Sequence, residues 1–196
     1  MLLAATCVGC GGPSGPVCPT CAAAVDPVGP LDVAGVDAAW ALLAYAGVGR
    51  ELVRGLKFTN RRAAVGVLAR AMAALVVAAG AEVVTWVPAT PSHRRARGYD
   101  QAELLARRCA ASLSVPARRL LVRRADRSQT GLDRRHRLTG PDLRSRRPVT
   151  GSVLVVDDVV TTGASLSTAA AVLRDAGADR VLALTLAAVD RAPCDR

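Results

Sequence analysis

Val153-Leu154-Val155-Val156-Asp157-Asp158-Val159-Val160-Thr161-Thr162-Gly163-Ala164-Ser165 is the stretch on which the reading of this chain turns. The four apolar residues Val153 to Val156 have the length and β-branched character of a strand buried in a parallel sheet. Asp157 and Asp158 are expected to close that strand. A hydroxyl-rich turn containing Gly163 follows, and Leu166 to Ala176 carry the apolar pattern of a helix. A strand that ends in acids and feeds a helix N-terminus suits a phosphorylated sugar. The first-turn N–H groups, reinforced by the positive end of the helix dipole, hold a phosphate. Thr161, Thr162 and Ser165 add hydroxyl donors, Gly163 lets the backbone come close, and Val159, Val160 and Ala164 complete the loop. The acids then stand across from the phosphate, placed to accept hydrogen bonds from ribose hydroxyls. The competing reading is an ordinary strand–turn–helix unit with two solvated aspartates. A Walker-type phosphate loop is excluded, because no Gly-x-x-x-x-Gly-Lys occurs in the chain.

Outward from this segment, strands and helices alternate. Trp40 to Tyr45 reads as a strand, Val48 to Phe58 as a helix with Leu52, Val53 and Leu56 inward, and Arg61 to Ala79 as a second helix. Glu82 to Val87 is an apolar strand stopped by Pro88. A loop runs from there to about Gly98, and a helix from Asp100 to about Ser112. Arg119 to Val122 reads as a short strand, residues 123 to 150 show little apolar periodicity, and Arg180 to Ala188 is the last strand. The alternation predicts an α/β fold, a parallel sheet with helices on both faces and its ligand at the carboxyl ends of the strands. Val25 to Asp37, rich in Pro, Gly and Asp, has a linker's composition. It divides a small N-terminal module, residues 1–37, from a larger domain, residues 38–196.

The 196 residues can hold one such domain with a full core plus a small appendage. At 51% hydrophobic and 3% aromatic, that core is built from Ala, Val and Leu. The net charge of +10 is carried almost wholly by arginine, with Lys57 the only lysine. Part of that bias fits a GC-rich coding sequence; the rest suits a polyanionic partner, a pyrophosphate-bearing sugar or nucleic acid. Met1 to Thr6 lack the basic start and apolar run of a secretory signal. Ala63 to Ala79, interrupted by Arg70, is too short to span a bilayer. A cytoplasmic protein with no membrane span is expected.

Cys7-x-x-Cys10 and Cys18-x-x-Cys21 form two knuckles, with Gly9, Gly11 and Gly12 permitting tight turns around a metal. Four thiolates at this spacing fit a closed tetrahedral zinc site, which has no open position for substrate and therefore serves folding. Paired disulfides are the alternative, disfavoured in a reducing cytosol. Cys109 is expected in the core and Cys194 as a free thiol near the tail.

The segment Val153–Ser165 resembles the phosphoribosyl-pyrophosphate (PRPP) loop of type I phosphoribosyltransferases. Three further segments extend the resemblance. Arg97-Gly98-Tyr99-Asp100-Gln101-Ala102-Glu103-Leu104-Leu105-Ala106 is similar to the "R-G-F-N-Q-A-E-L-L-A" stretch of the ComF family, the competence-protein-F group that includes GntX-like proteins. Gly55-Leu56-Lys57-Phe58 resembles its "L-K-F/Y" segment, and Gln129-x-x-Leu132 with Arg137 its "Q-x-x-L" and later Arg. With the four-cysteine, zinc-ribbon-like module in front, the order matches over nearly the whole chain. The departures are Tyr99 for Phe, Asp100 for Asn, and Gly140 where the family has a further Asn.

The resemblance implies that Asp157 and Asp158 bind the ribose 2′- and 3′-hydroxyls of PRPP and that Thr161 to Ser165 hold its 5′-phosphate. It implies that the loop from Ala89, with Arg94 or Arg95, faces the pyrophosphate, that Mg²⁺ accompanies PRPP, and that residues 123–147 form a mobile basic loop over the sugar. Arg123, Arg124, Arg127, Arg134, Arg135 and Arg137 read equally as a solvated loop, as that lid, or as a track for single-stranded DNA, although no aromatic in the run is there to stack on bases. Tyr99 and Trp86 read as packing residues before stacking ones. His93 and His136 have no second metal ligand at useful spacing. Lys57 reads as a snorkelling helix-end lysine before a phosphate contact. Two function classes follow: a phosphoribosyltransferase with an unidentified nitrogenous acceptor, or a non-catalytic competence protein acting through single-stranded DNA or protein partners. The oligomeric state is open, a dimer among the options.

Overall fold

The computed structural model of the chain describes residues 6–58, 63–123 and 140–189. Its centre is the strand the acid-ended motif predicts, Ser152–Val160 (β6), flanked by Arg180–Ala188 (β7) and Val83–Trp86 (β3). Pro27–Leu31 (β1) and Ala38–Ala44 (β2) complete a five-stranded sheet of order β1-β2-β7-β6-β3. β2, β7, β6 and β3 run parallel, and only β1 is antiparallel. Val153 to Val156 and Val181 to Leu184 are buried on both faces, which is why they read as continuous apolar runs rather than alternating ones.

Pro19–Ala23 (α1) is a short helix at the second cysteine pair, and longer helices cover both faces of the sheet. Gly47–Phe58 (α2), Ala63–Ala74 (α3) and Gln101–Leu113 (α5) pack on one side, bringing Leu52, Leu68, Met72 and Leu105 against Leu154, Val156 and Leu184. Ala164–Asp175 (α6) lies on the other, with Leu166, Ala170 and Leu173 against Val153, Val155 and Val181. A two-stranded ribbon, Leu121–Arg123 (β4) with Leu143–Ser145 (β5), adds Leu121 and Leu143 to the α6-side core. Each fully buried leucine contributes about 1.5–3 kcal/mol relative to exposure, so two cores built mainly from Ala, Val and Leu suffice, with Trp86 as the large buried aromatic. Among the described residues no helix is long and apolar enough to cross a membrane.

Four expectations need correction. Residues 25–37 are not plain linker, since β1 pairs antiparallel with β2, Gly29 opposite Ala41. Pro27 and Pro30 are tolerated because β1 is an edge strand, where a missing N–H breaks no central ladder. The segment to Gly98 is not a plain loop: Pro91–Arg97 (α4) is a short helix whose N-cap Thr90 accepts the His93 N–H. Thr followed by Pro at the first helical position is a helix-start signal, masked here by the absence of apolar periodicity. Third, β6 runs on past Asp157 and Asp158 to Val160, because β7 continues beside it to Ala188. Finally, the helix expected to Ala79 stops at Ala74, and a 3-10 turn covers Val77–Ala79 before left-handed Gly80.

Candidate functional site

The core-packing helices that follow β3 and β6 lie on opposite faces of the sheet, α5 on one and α6 on the other. Neighbouring strands whose connections diverge in this way leave a crevice at their carboxyl ends. Trp86 pairs with Val156, and the Val87 N–H donates to the Val156 carbonyl at 3.1 Å. The chain after β3 therefore starts beside Asp157 and Asp158. Both aspartates are half-buried and belong to neither core. The Asp157 carboxylate accepts the Asp158 N–H at 2.8 Å.

Beyond Val160 the chain turns through exposed Thr161 and Thr162 into buried Gly163, the N-cap of α6. Gly163 has φ +80°, a left-handed conformation that costs a side-chain-bearing residue about 1–2 kcal/mol. It also carries no capping group. Thr162 Oγ1 accepts the Ala164 N–H at 3.3 Å, and the Ser167 N–H reaches the Gly163 carbonyl at 2.9 Å. Among the described residues nothing accepts the N–H groups of Ser165 and Leu166. Two first-turn donors at the positive end of a helix of twelve residues are thus left for an anion.

On the β3 side, Arg94, Arg95 and Arg97 sit on α4. Arg94 and Arg95 are exposed and form no ion pair with a described carboxylate, whereas Arg97 donates to Gln101 Oε1 at 3.0 Å. The Ala89 N–H is committed to Asp100 Oδ2 at 2.8 Å. Arg123 Nε donates to the Pro88 carbonyl at 2.7 Å, fixing the end of β4 to the same loop.

Two contacts near the site were not legible beforehand. Asp100, 7% exposed, caps α5 through Oδ1 and the Glu103 N–H while Oδ2 holds Ala89. Burial raises its carboxyl above the usual range, opposed by the Ala89 and Glu103 N–H groups. Asp with Glu three residues on was a readable capping signal; the bond to Ala89 left no trace in sequence. Gly140, at φ +75°, lies against α6 so closely that a Cβ there would stand 2.3 Å from Thr168 Oγ1 and 2.8 Å from the Ala164 carbonyl oxygen. No side chain fits there without displacement.

The four cysteines converge, their Sγ atoms all within 4.8 Å of one another. Cys10 Sγ and Cys18 Sγ are 3.8 Å apart, close to the edge of about 3.8 Å expected for a tetrahedron of 2.3 Å Zn–S bonds. The Cys18 N–H points at Cys7 Sγ and the Cys21 N–H at Cys18 Sγ, each at 3.3 Å. Burial pushes the Cys7 thiol up, but N–H groups of Cys10, Cys18 and Gly9 outweigh it and bring it to about 6. Burial and then the neighbouring sulfurs push Cys21 up to about 12. Crowded sulfur with N–H support fits a thiophilic cation, whose charge reverses that penalty. The cluster docks on α2, where a Cβ at Gly55 would stand 2.2 Å from Val8 Cγ2.

Of the remaining candidates, Trp86 is buried in the α5-side core beneath Arg107, 5.4 Å from its ring centre, and is packing rather than a platform. The Tyr99 hydroxyl donates to the Leu56 carbonyl. Cys109 is buried, as expected, its Sγ donating to the Ala69 carbonyl. His93 is exposed on α4. Arg124, Arg127, Gln129, Leu132, Arg134, Arg135, His136, Arg137, Cys194 and the side chain of Lys57 lie outside the described residues.

No family model matches the chain, nor does any curated protein. Among solved structures it is similar to the glutamine PRPP amidotransferase from B. subtilis complexed with ADP and GMP, at 26% identity and TM-score 0.45 over 63% of this chain. It is also similar to a purine phosphoribosyltransferase from Pyrococcus horikoshii Ot3, at 20% identity and TM-score 0.43 over 66% of this chain and 77% of that one. An orotate phosphoribosyltransferase from Aeropyrum pernix gives 20% identity and TM-score 0.40 over 85% of this chain and 88% of that one. The chain spans 26% of the length of the amidotransferase.

Proposed function

We propose that the protein binds PRPP with Mg²⁺ at the carboxyl ends of β6 and β3 and transfers its phosphoribosyl group to a nitrogenous acceptor, as a ComF-type phosphoribosyltransferase. The observation that carries this is the loop between β6 and α6. A half-buried acid pair, a left-handed glycine cap and two uncommitted helix N–H donors lie within residues 157–166, where a central parallel strand gives way to a helix. In this reading the Ser165 and Leu166 N–H groups, with Thr161, Thr162 and Ser165 hydroxyls, grip the 5′-phosphate. Asp157 and Asp158 accept from the ribose hydroxyls, and Arg94 or Arg95 answers the pyrophosphate charge. The carboxylate and hydroxyl oxygens present are the donor class Mg²⁺ takes, and with Asp157 and Asp158 beside it the ion would offset charge on the leaving group. Such a transfer asks the protein for position, charge stabilisation and exclusion of water rather than a covalent nucleophile. The four cysteines would hold a structural Zn²⁺.

Calorimetry with PRPP and Mg²⁺ tests the site. The wild type is expected to bind, and the double variant Asp157→Asn/Asp158→Asn to lose at least tenfold in affinity. A wild type that does not bind removes the proposal. Screening nitrogenous acceptors for pyrophosphate release then tests turnover.

A second reading, a non-catalytic competence protein that contacts single-stranded DNA, draws on a different surface. Arg118, Arg119, Arg144, Arg146 and Arg147 are all exposed on and beside the β4–β5 ribbon. Salt-dependent DNA binding that ignores the aspartate substitutions would favour it.

A further inference from the structure

Asp100 does more than its place in the helix requires. Capping α5 needs one side-chain oxygen, and Oδ1 supplies it by accepting the Glu103 N–H at 3.3 Å. Oδ2 is turned the other way, to the Ala89 N–H across 11 residues of sequence. Between these two anchor points lies the helix α4 with Arg94 and Arg95. Gly98, left-handed at φ +73°, reverses the chain after α4 and returns it to Tyr99 and Asp100. The Tyr99 hydroxyl then ties the same turn to the Leu56 carbonyl of α2.

α4 has no buried residue of its own. A helix of 7 residues without an apolar face is not held by packing or by its own propensity. Its attachment is therefore at its ends, and the bond from Asp100 to Ala89 closes them. A carboxylate carried to 7% exposure is costly unless its partners require it. Here the requirement is to pin the start of the arginine-bearing segment beside Val156 and the acids that follow it.

We infer that Asp100 is a positioning residue that sets the arginines of α4 for the pyrophosphate end of the ligand. The inference rests on the PRPP reading above. It separates pyrophosphate affinity, which depends on Asp100, from phosphate and ribose affinity, which depends on the β6–α6 loop.

Asp100→Ser discriminates, because serine caps a helix as well as aspartate does but has no second oxygen for Ala89. Affinities for Mg²⁺ with PRPP, inorganic pyrophosphate and ribose 5-phosphate are measured by calorimetry, and Ala89 amide exchange by NMR. Asp100→Ser is expected to speed Ala89 exchange at least tenfold and to weaken PRPP and pyrophosphate at least fivefold, leaving ribose 5-phosphate within twofold. Arg94→Ala/Arg95→Ala, both exposed, should give the same ligand split with Ala89 exchange unchanged. Unchanged Ala89 exchange in Asp100→Ser, or an equal loss for ribose 5-phosphate, overturns the inference. A wild type that binds ribose 5-phosphate but not pyrophosphate overturns it too and leaves the phosphate cradle standing. A wild type that binds none of the three removes the PRPP reading and this inference with it.

Discussion

Single positions in this protein are constrained by what stands a few ångströms away. Gly140 is the sharpest case. Asparagine tolerates a positive φ better than most residues, yet Gly140→Asn would drive a Cβ into Thr168 Oγ1 and the Ala164 carbonyl. It is expected to destabilise the fold by about 1–3 kcal/mol, as overpacking does, which a urea midpoint would detect. An unchanged midpoint would mean that residue 140 does not sit against α6. Asp37 carries a pH dependence of definite sign. The Val181 N–H and then Arg174 hold its carboxyl below the usual value, Oδ2 accepting from each at 2.7 Å. Its contribution is therefore present in full above the unfolded carboxylate value of about 3.9. It is lost as pH falls through the lower native one. The stability gap between wild type and Asp37→Asn should be constant from pH 7 to 5 and shrink below about pH 4. A gap that widens on acidification would refute the assignment.

At the scale of elements, the unit that matters is the cysteine cluster seated on α2. Val8, inside the cluster, belongs to the same core as Leu52 and Leu56, and Gly55 leaves the space Val8 occupies. Metal loss should therefore reach beyond the knuckles into α2. Elemental analysis of protein purified under reducing conditions is expected to find about one zinc per chain. Chelation should raise amide exchange over residues 6–24 and in α2 while β6 and β7 stay protected. Gly55→Ala should imitate part of that effect, costing about 1–3 kcal/mol. Protein with no metal, or chelation that leaves α2 untouched, would dissociate the cluster from the helix. The element most easily misread was α4, whose composition is that of a basic loop and whose start is marked only by Thr90 and Pro91.

For the molecule as a whole, the candidate site exists because four parallel strands deliver their carboxyl ends to one edge. β6 and β7 were legible because strands buried on both faces must be apolar throughout. β1 was not, because an edge strand pairs on one side only and, being largely exposed here, can keep Pro27, Gly29 and Pro30. The two cores divide by face as the alternation requires, and the cysteine module leans on only one of them.

From the amino-acid order alone came the parallel α/β class, the acid-and-glycine loop at the end of β6 and the four-thiol cluster. Each is a local pattern whose chemistry is complete within a short stretch of chain. Only the folded chain could decide that the Ala89 N–H is taken by Asp100, that Gly140 rests on α6, and that Val8 fills the notch at Gly55. Those are contacts between residues far apart in sequence. No periodicity or propensity encodes a meeting that depends on how whole elements pack.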